Sequence, residues 1–138
     1  MSNDNLSEKV SVNINSSTLS QIDLLVDNGY YSNRSDFINQ ALRTALQQQQ
    51  STLDRIIKQR AETSQRKKEQ WFVGVFGLTA EDIEVMYQQG GGFTVTGYGV
   101  LVIDDSVDQE KLFAALQKIS VKGKVICARS IKDHYGLK

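Results

Sequence analysis

The sequence predicts an α/β chain in two parts: a β-α-α unit in residues 1–50 and a β-α-β-α-β unit in residues 71–138, joined by a helical linker at 51–70. Three observations carry this. Residues 9–15 alternate apolar and polar, two runs of apolar residues at helical spacing follow, and from Trp71 strand-like runs rich in Val, Ile and Phe alternate with two further helical stripes.

In Lys9-Val10-Ser11-Val12-Asn13-Ile14-Asn15, the apolar Val10, Val12 and Ile14 point one way and Lys9, Ser11, Asn13 and Asn15 the other. The next thirty residues read as helix, so this short strand's backbone needs a partner from elsewhere. The simplest partner is the same strand of a second copy. Two such strands make a ribbon that fits the major groove of DNA, one face on the helices and the other on base edges. Dimerisation is then required for folding and for binding alike.

The first helix follows a Ser16-Ser17-Thr18 start with Leu19, Ile22, Leu25 and Val26 on one face, and Asn28-Gly29 stops it. Tyr30 and Tyr31 lead to a second start, Ser32-Asn33-Arg34-Ser35-Asp36, where Asn33 is the expected cap and Asp36 faces the helix dipole favourably. Phe37, Ile38, Ala41, Leu42, Ala45 and Leu46 make the second apolar stripe. The amides at this helix start are suited to a DNA phosphate, and Ser32, Asn33, Arg34 and Ser35 add donors.

Strand, Gly29 turn and the Ser32-Asn33-Arg34-Ser35-Asp36-Phe37-Ile38 helix start together resemble the ribbon-helix-helix domain of Arc, MetJ and CopG-type DNA-binding proteins. The resemblance covers the first third of the chain. It implies an intertwined homodimer on double-stranded DNA, with Lys9, Ser11 and Asn13 reading bases.

Charge does not reinforce this reading. Net charge is formally zero, and residues 1–50 hold three basic against five acidic side chains, while residues 51–70 hold six against three. Affinity must come from placed contacts, helix-terminal amides, the basic linker and several dimers binding side by side. Within the linker, the Gln47–Gln50 run and the absence of Gly and Pro favour helix, either continuous or broken near Ser51-Thr52 and restarted at Asp54. The Arg66-Lys67-Lys68 cluster reads first as a solvated face and second as a phosphate contact.

In the C-terminal part Trp71–Phe76 is a strand, and Thr79 caps a helix with Asp82 three residues on and Ile83, Met86 and Tyr87 inward. Gly90-Gly91-Gly92 ends that helix. Phe93–Ile103 is a strand, Val107–Lys118 a helix with Leu112, Phe113 and Leu116 inward, and Ile119–Ala128 a strand. A gapless shift of 24 sets Val95–Ile103 on Ile119–Cys127 and Gly99 on Gly123, which suggests a repeated helix-plus-strand unit in a short parallel solenoid with open ends. A hairpin at Gly97-Tyr98-Gly99 would instead give the ferredoxin-like βαββαβ order, similar to the regulatory domain of the nickel-responsive ribbon-helix-helix repressor. His134 and Cys127 alone are too few for such a nickel site, so no metal and no cofactor are expected.

Cys127 reads as a buried thiol on the last strand and His134 as an ordinary surface histidine. No Ser, His and acid constellation is apparent, and no enzyme is expected. A single cysteine, with neither a secretory leader nor an apolar run of bilayer length, points to the cytoplasm at the nucleoid. The expected function is a dimeric, sequence-specific DNA-binding regulator, a repressor, whose C-terminal part builds a higher-order homo-oligomer or senses a signal. The alternatives are an antitoxin whose C-terminal half embraces a toxin, and a structural protein that coats DNA.

Overall fold

The computed structural model describes residues 7–138 of the chain, so residues 1–6 of the expected first unit lie outside the described residues. Two compact units are present, Met1–Arg55 and Ile56–Lys138. No helix among the described residues is long and apolar enough to cross a membrane.

The first unit holds α1 (Ser16–Asp27) and α2 (Arg34–Gln48). The Asn15 side chain caps α1 by accepting from the Ser17 amide at 2.8 Å, and at the other end Asn28 Nδ2 donates to Leu24 O before Gly29 turns with φ +83°. Tyr31 meets Phe37 edge-on at 4.9 Å. Leu19, Ile22, Leu25 and Val26 lie on the inner side of α1 as expected, yet Ile22 alone is fully buried in it and α2 buries nothing. The expected strand at 9–15 carries no ladder in the single chain. A strand needs a hydrogen-bonded neighbour, and one copy supplies none to this segment.

Helix α3 (Gln50–Gln65) follows α2 after an interruption at Gln49, earlier than the expected break at Ser51-Thr52. There the Gln49 amide bonds three residues back, to Leu46 O at 3.1 Å, and the turn tightens. Of the basic cluster beyond α3, Lys68 sits at φ +49°, and its Nζ donates to Gln89 O and Gly91 O at 3.0 and 3.1 Å. It thereby satisfies carbonyls at the end of the next helix, while Arg66, Lys67 and Lys68 all remain exposed as expected of a solvated face.

The second unit is a three-stranded parallel sheet, β1 (Glu69–Leu78), β2 (Phe93–Ile103) and β3 (Leu116–Ile126), in that spatial order. Crossovers run through α4 (Ala80–Gln88) and α5 (Gln109–Ala115), and α6 (Arg129–Tyr135) follows β3. Thr79 and Asp82 cap α4 reciprocally, as the sequence indicates. From Val95 to Val102 each β2 residue pairs with the β3 residue 24 positions on, the spacing of the sequence repeat. The ferredoxin-like alternative is therefore corrected: β2 runs unbroken through Gly97-Tyr98-Gly99 and makes no hairpin, because parallel neighbours need the helical crossovers that α4 and α5 provide.

A glycine column fixes the register. Gly74 pairs with Gly99 and Gly99 with Gly123, with φ of +110°, +126° and +142°. A Cβ at Gly99 would lie 2.0 Å from Gly74 O, and one at Gly123 would lie 2.0 Å from Gly99 O. At Gly99 and Gly123 only glycine lets the strand bend with its neighbour's carbonyl in the bend.

Leu78, Ile83, Val95, Leu101, Leu112 and Leu116 are buried between sheet and helices. Three helical expectations shift. Tyr87 is 46 % exposed rather than inward, with Lys111 Nζ 5.5 Å over its ring. Helix α5 is shorter than 107–118, because Asp108 caps its start by accepting from the Glu110 and Lys111 amides and Leu116 is already extended, with φ −108° and ψ 109°. Phe113 is accordingly half-buried, stacked on exposed His134 at 3.8 Å.

Helix α6 was not expected. It starts with no side-chain cap, so a seven-residue element left little signal. Its presence moves Cys127 just past β3, where the thiol is half-buried rather than buried on the strand, and burial raises its pKa. Tyr135 on α6 donates its hydroxyl to Leu116 O at 2.6 Å, and burial pushes its pKa from the ordinary 10.0 up to about 12. The folded form thus favours the neutral phenol, and its contribution is intact below pH 10 and lost as pH rises toward 12. Alkaline unfolding of the wild-type chain is expected to steepen across that window, and Tyr135→Phe to remove that component in a pH series of thermal melts.

Candidate nucleic-acid interface

Side chains Lys9, Ser11 and Asn13 are all exposed in the segment before α1. The intervening Val10 and Val12 are 76 % and 74 % exposed. Across the same unit Leu24, Leu42 and Leu46 are more than half exposed as well. An alternating segment without a strand partner and two amphipathic helices thus leave apolar side chains uncovered in one chain. Exposed apolar side chains in this number are what a protein–protein contact would cover.

At the start of α2 the four expected phosphate contacts Ser32, Asn33, Arg34 and Ser35 come together, but not all are free. Asn33 Oδ1 accepts from the Asp36 amide at 2.8 Å, and the Asp36 carboxylate accepts from the Ser32 amide at 3.0 Å. The Ser32 amide is the first cause holding the Asp36 carboxyl below its usual range, followed by the Gln40 side chain. Arg34 is engaged by a bidentate pair with Asp23 of α1, at 2.8 and 2.9 Å, and the hydrogen bond from Arg34 lowers the Asp23 pKa. What remains open is the pair of first-turn amides of Arg34 and Ser35, which precede the intrahelical ladder, with the outer guanidinium edge and the Ser35 hydroxyl beside them.

The Asp23 partnership escaped sequence reasoning. Eleven residues separate the two across a turn, and no helical spacing links them. The pair is exposed on both sides, so its contribution to stability is small. Its effect is positional: it fixes the guanidinium at the α2 start.

A family model described as the ribbon-helix-helix transcriptional regulator family matches residues 5–132. The chain belongs to this family. Ribbon-helix-helix regulators bind DNA, usually as dimers, so this chain is a DNA-binding transcriptional regulator. The match corrects the extent read from the sequence, which covered the first third alone: the family pattern runs through all three strands of the sheet and into α6. Searches of curated proteins and of solved structures each found no match.

Proposed function

We propose that the chain is a sequence-specific transcriptional repressor that dimerises through residues 9–15, reads bases with Lys9, Ser11 and Asn13, and holds phosphates at Ser32–Ser35. In this reading residues 1–50 form the DNA-binding and dimerisation domain, 51–70 the helical linker, and 71–138 the domain that joins dimers into a larger assembly. The observation that carries it is the uncovered apolar side of the first unit, Val10, Val12, Leu42 and Leu46, behind a polar strand face with the donors and acceptors for base edges. The second unit's own buried core favours a regulator over an antitoxin, whose toxin-binding tail gains order on its toxin.

The test compares a cognate site with random DNA. The lysine ammonium donates to guanine O6 and N7, and the Asn13 amide pairs with both edge groups of adenine. Asn13→Ala is expected to cost about 1–3 kcal/mol on the cognate site and little on random sequence. Equal loss on both would remove base reading by Asn13. By contrast, Arg34→Ala is expected to weaken all sequences alike and to flatten the salt dependence by about one phosphate contact.

A further inference from the structure

The parallel sheet ends in two edges of different chemistry. Strand β1 pairs only with β2 and strand β3 only with β2, so each leaves one row of backbone groups without a strand among the described residues. On β1 the exposed side chains are apolar: Val73 and Val75 are 54 % and 62 % exposed, Phe76 is half-buried, and an open groove beside it runs under α4 to Phe93 of β2, lined also by Gln70, Leu78, Val85 and Gln89. Beyond β3 they are apolar and basic. Lys118 and Lys122 stand exposed, and a groove there is lined by Val121, Lys124, Val125, Lys132, Leu137 and Lys138.

We propose that the β3 edge of one chain docks on the β1 edge of another, parallel and in register, so that the stack continues head to tail from copy to copy. The partner is a second copy of this chain, and the proposal rests on the reading of the second unit as an assembly domain. Charge opposes the symmetric β3-on-β3 rival. Two β3 edges would set lysines against lysines, whereas β3 on β1 sets Lys122 and Lys124 opposite neutral Val73 and Val75, and Lys118 beside Glu69, whose carboxylate Arg60 already pairs at 2.7 Å. On the inner face Val121 would meet Phe72, and Val125 would meet Phe76, extending the core already present.

The glycine column supplies the register. At Gly99 and Gly123 the site that a Cβ would fill holds the carbonyl of the preceding strand's glycine. Gly74 has the same positive φ, yet nothing lies within 4 Å of its Cβ position. The bend is made and its carbonyl is missing. By the repeat of the stack, the Gly123 carbonyl is the one aimed outward at the β3 edge, and a copy docked there fills the site at Gly74. Because the two surfaces differ, the contact does not close on itself, and ribbon dimers carrying it link into chains or rings.

The experiment is light scattering on the full chain over a concentration range, with binding to DNA measured on the same samples. Wild-type mass is expected to rise above that of a dimer with concentration. Val75→Lys places a lysine opposite Lys124 of the next copy and is expected to hold the mass at the dimer. In contrast, Val75→Glu is expected to assemble at least as readily as wild type, and the double variant Val75→Lys with Lys124→Glu to assemble again. Position 75 is solvent-exposed, and both single variants burden the fold equally, so the sign of the charge is what is read. A wild-type chain that stays a dimer throughout, or Val75→Lys and Val75→Glu with the same mass, overturns head-to-tail docking. A wild-type chain that assembles but binds no DNA would sink the regulator reading and leave the docking result standing.

Discussion

Val12→Lys is expected to split the dimer and to lower DNA affinity at least about 100-fold, while leaving each chain's second unit folded. In a single chain Val12 is 74 % exposed, and a surface substitution of that kind changes stability by roughly ±0.5 kcal/mol at most. In a ribbon of two strands the same side chain is covered, and each buried valine contributes about 1.5–3 kcal/mol. Symmetry doubles the loss, and an unpaired ammonium in the interface adds its desolvation. Sedimentation of the variant beside wild type, with a DNA titration on both, checks it. A variant that stays dimeric and binds as before would show that residues 9–15 are not the dimer contact.

Gly99→Ala is expected to be the most damaging single substitution in the second unit, costing about 3 kcal/mol or more. The added methyl would sit 2.0 Å from Gly74 O and 2.9 Å from Gly74 C, both backbone atoms that the sheet ladder holds in place, and φ of +126° is strained for any side chain. Relief requires β1 and β2 to separate, which opens the core at Phe72, Val95 and Leu101. Gly29→Ala is the control: it shares a positive φ, but nothing lies within 4 Å of its Cβ, so strain acts alone and the loss should be smaller. Equal thermal shifts for the two would mean that the glycine column is not what sets the register.

Much of the second unit was legible because its elements repeat. The shift of 24 that aligns Val95–Ile103 with Ile119–Cys127 is a pattern of residues, and the β2–β3 register reproduces it. The cap at Thr79 and the stop at Gly90 were legible for a local reason, since hydrogen bonds within four residues decide both. The α6 segment was not, because no side chain caps it and its anchors, Ile131 in the core and Tyr135 on Leu116 O, are tertiary. Nor was the end of α5, where Leu116 joins β3 instead of completing a helical turn.

In the first unit the sequence determined the alternating segment with its exposed polar side chains and both helix starts, since each depends on neighbours in the chain. Tertiary structure decided what crosses the turn: Arg34 is held by Asp23 of α1. It also chose between two folds that the same order of elements allows. A strand with two glycines reads equally as a hairpin or as one bent strand, and pairing alone separates them. The Gly74 carbonyl fills the bend at Gly99, so the strands lie parallel and the column, not a turn, is what those glycines are for.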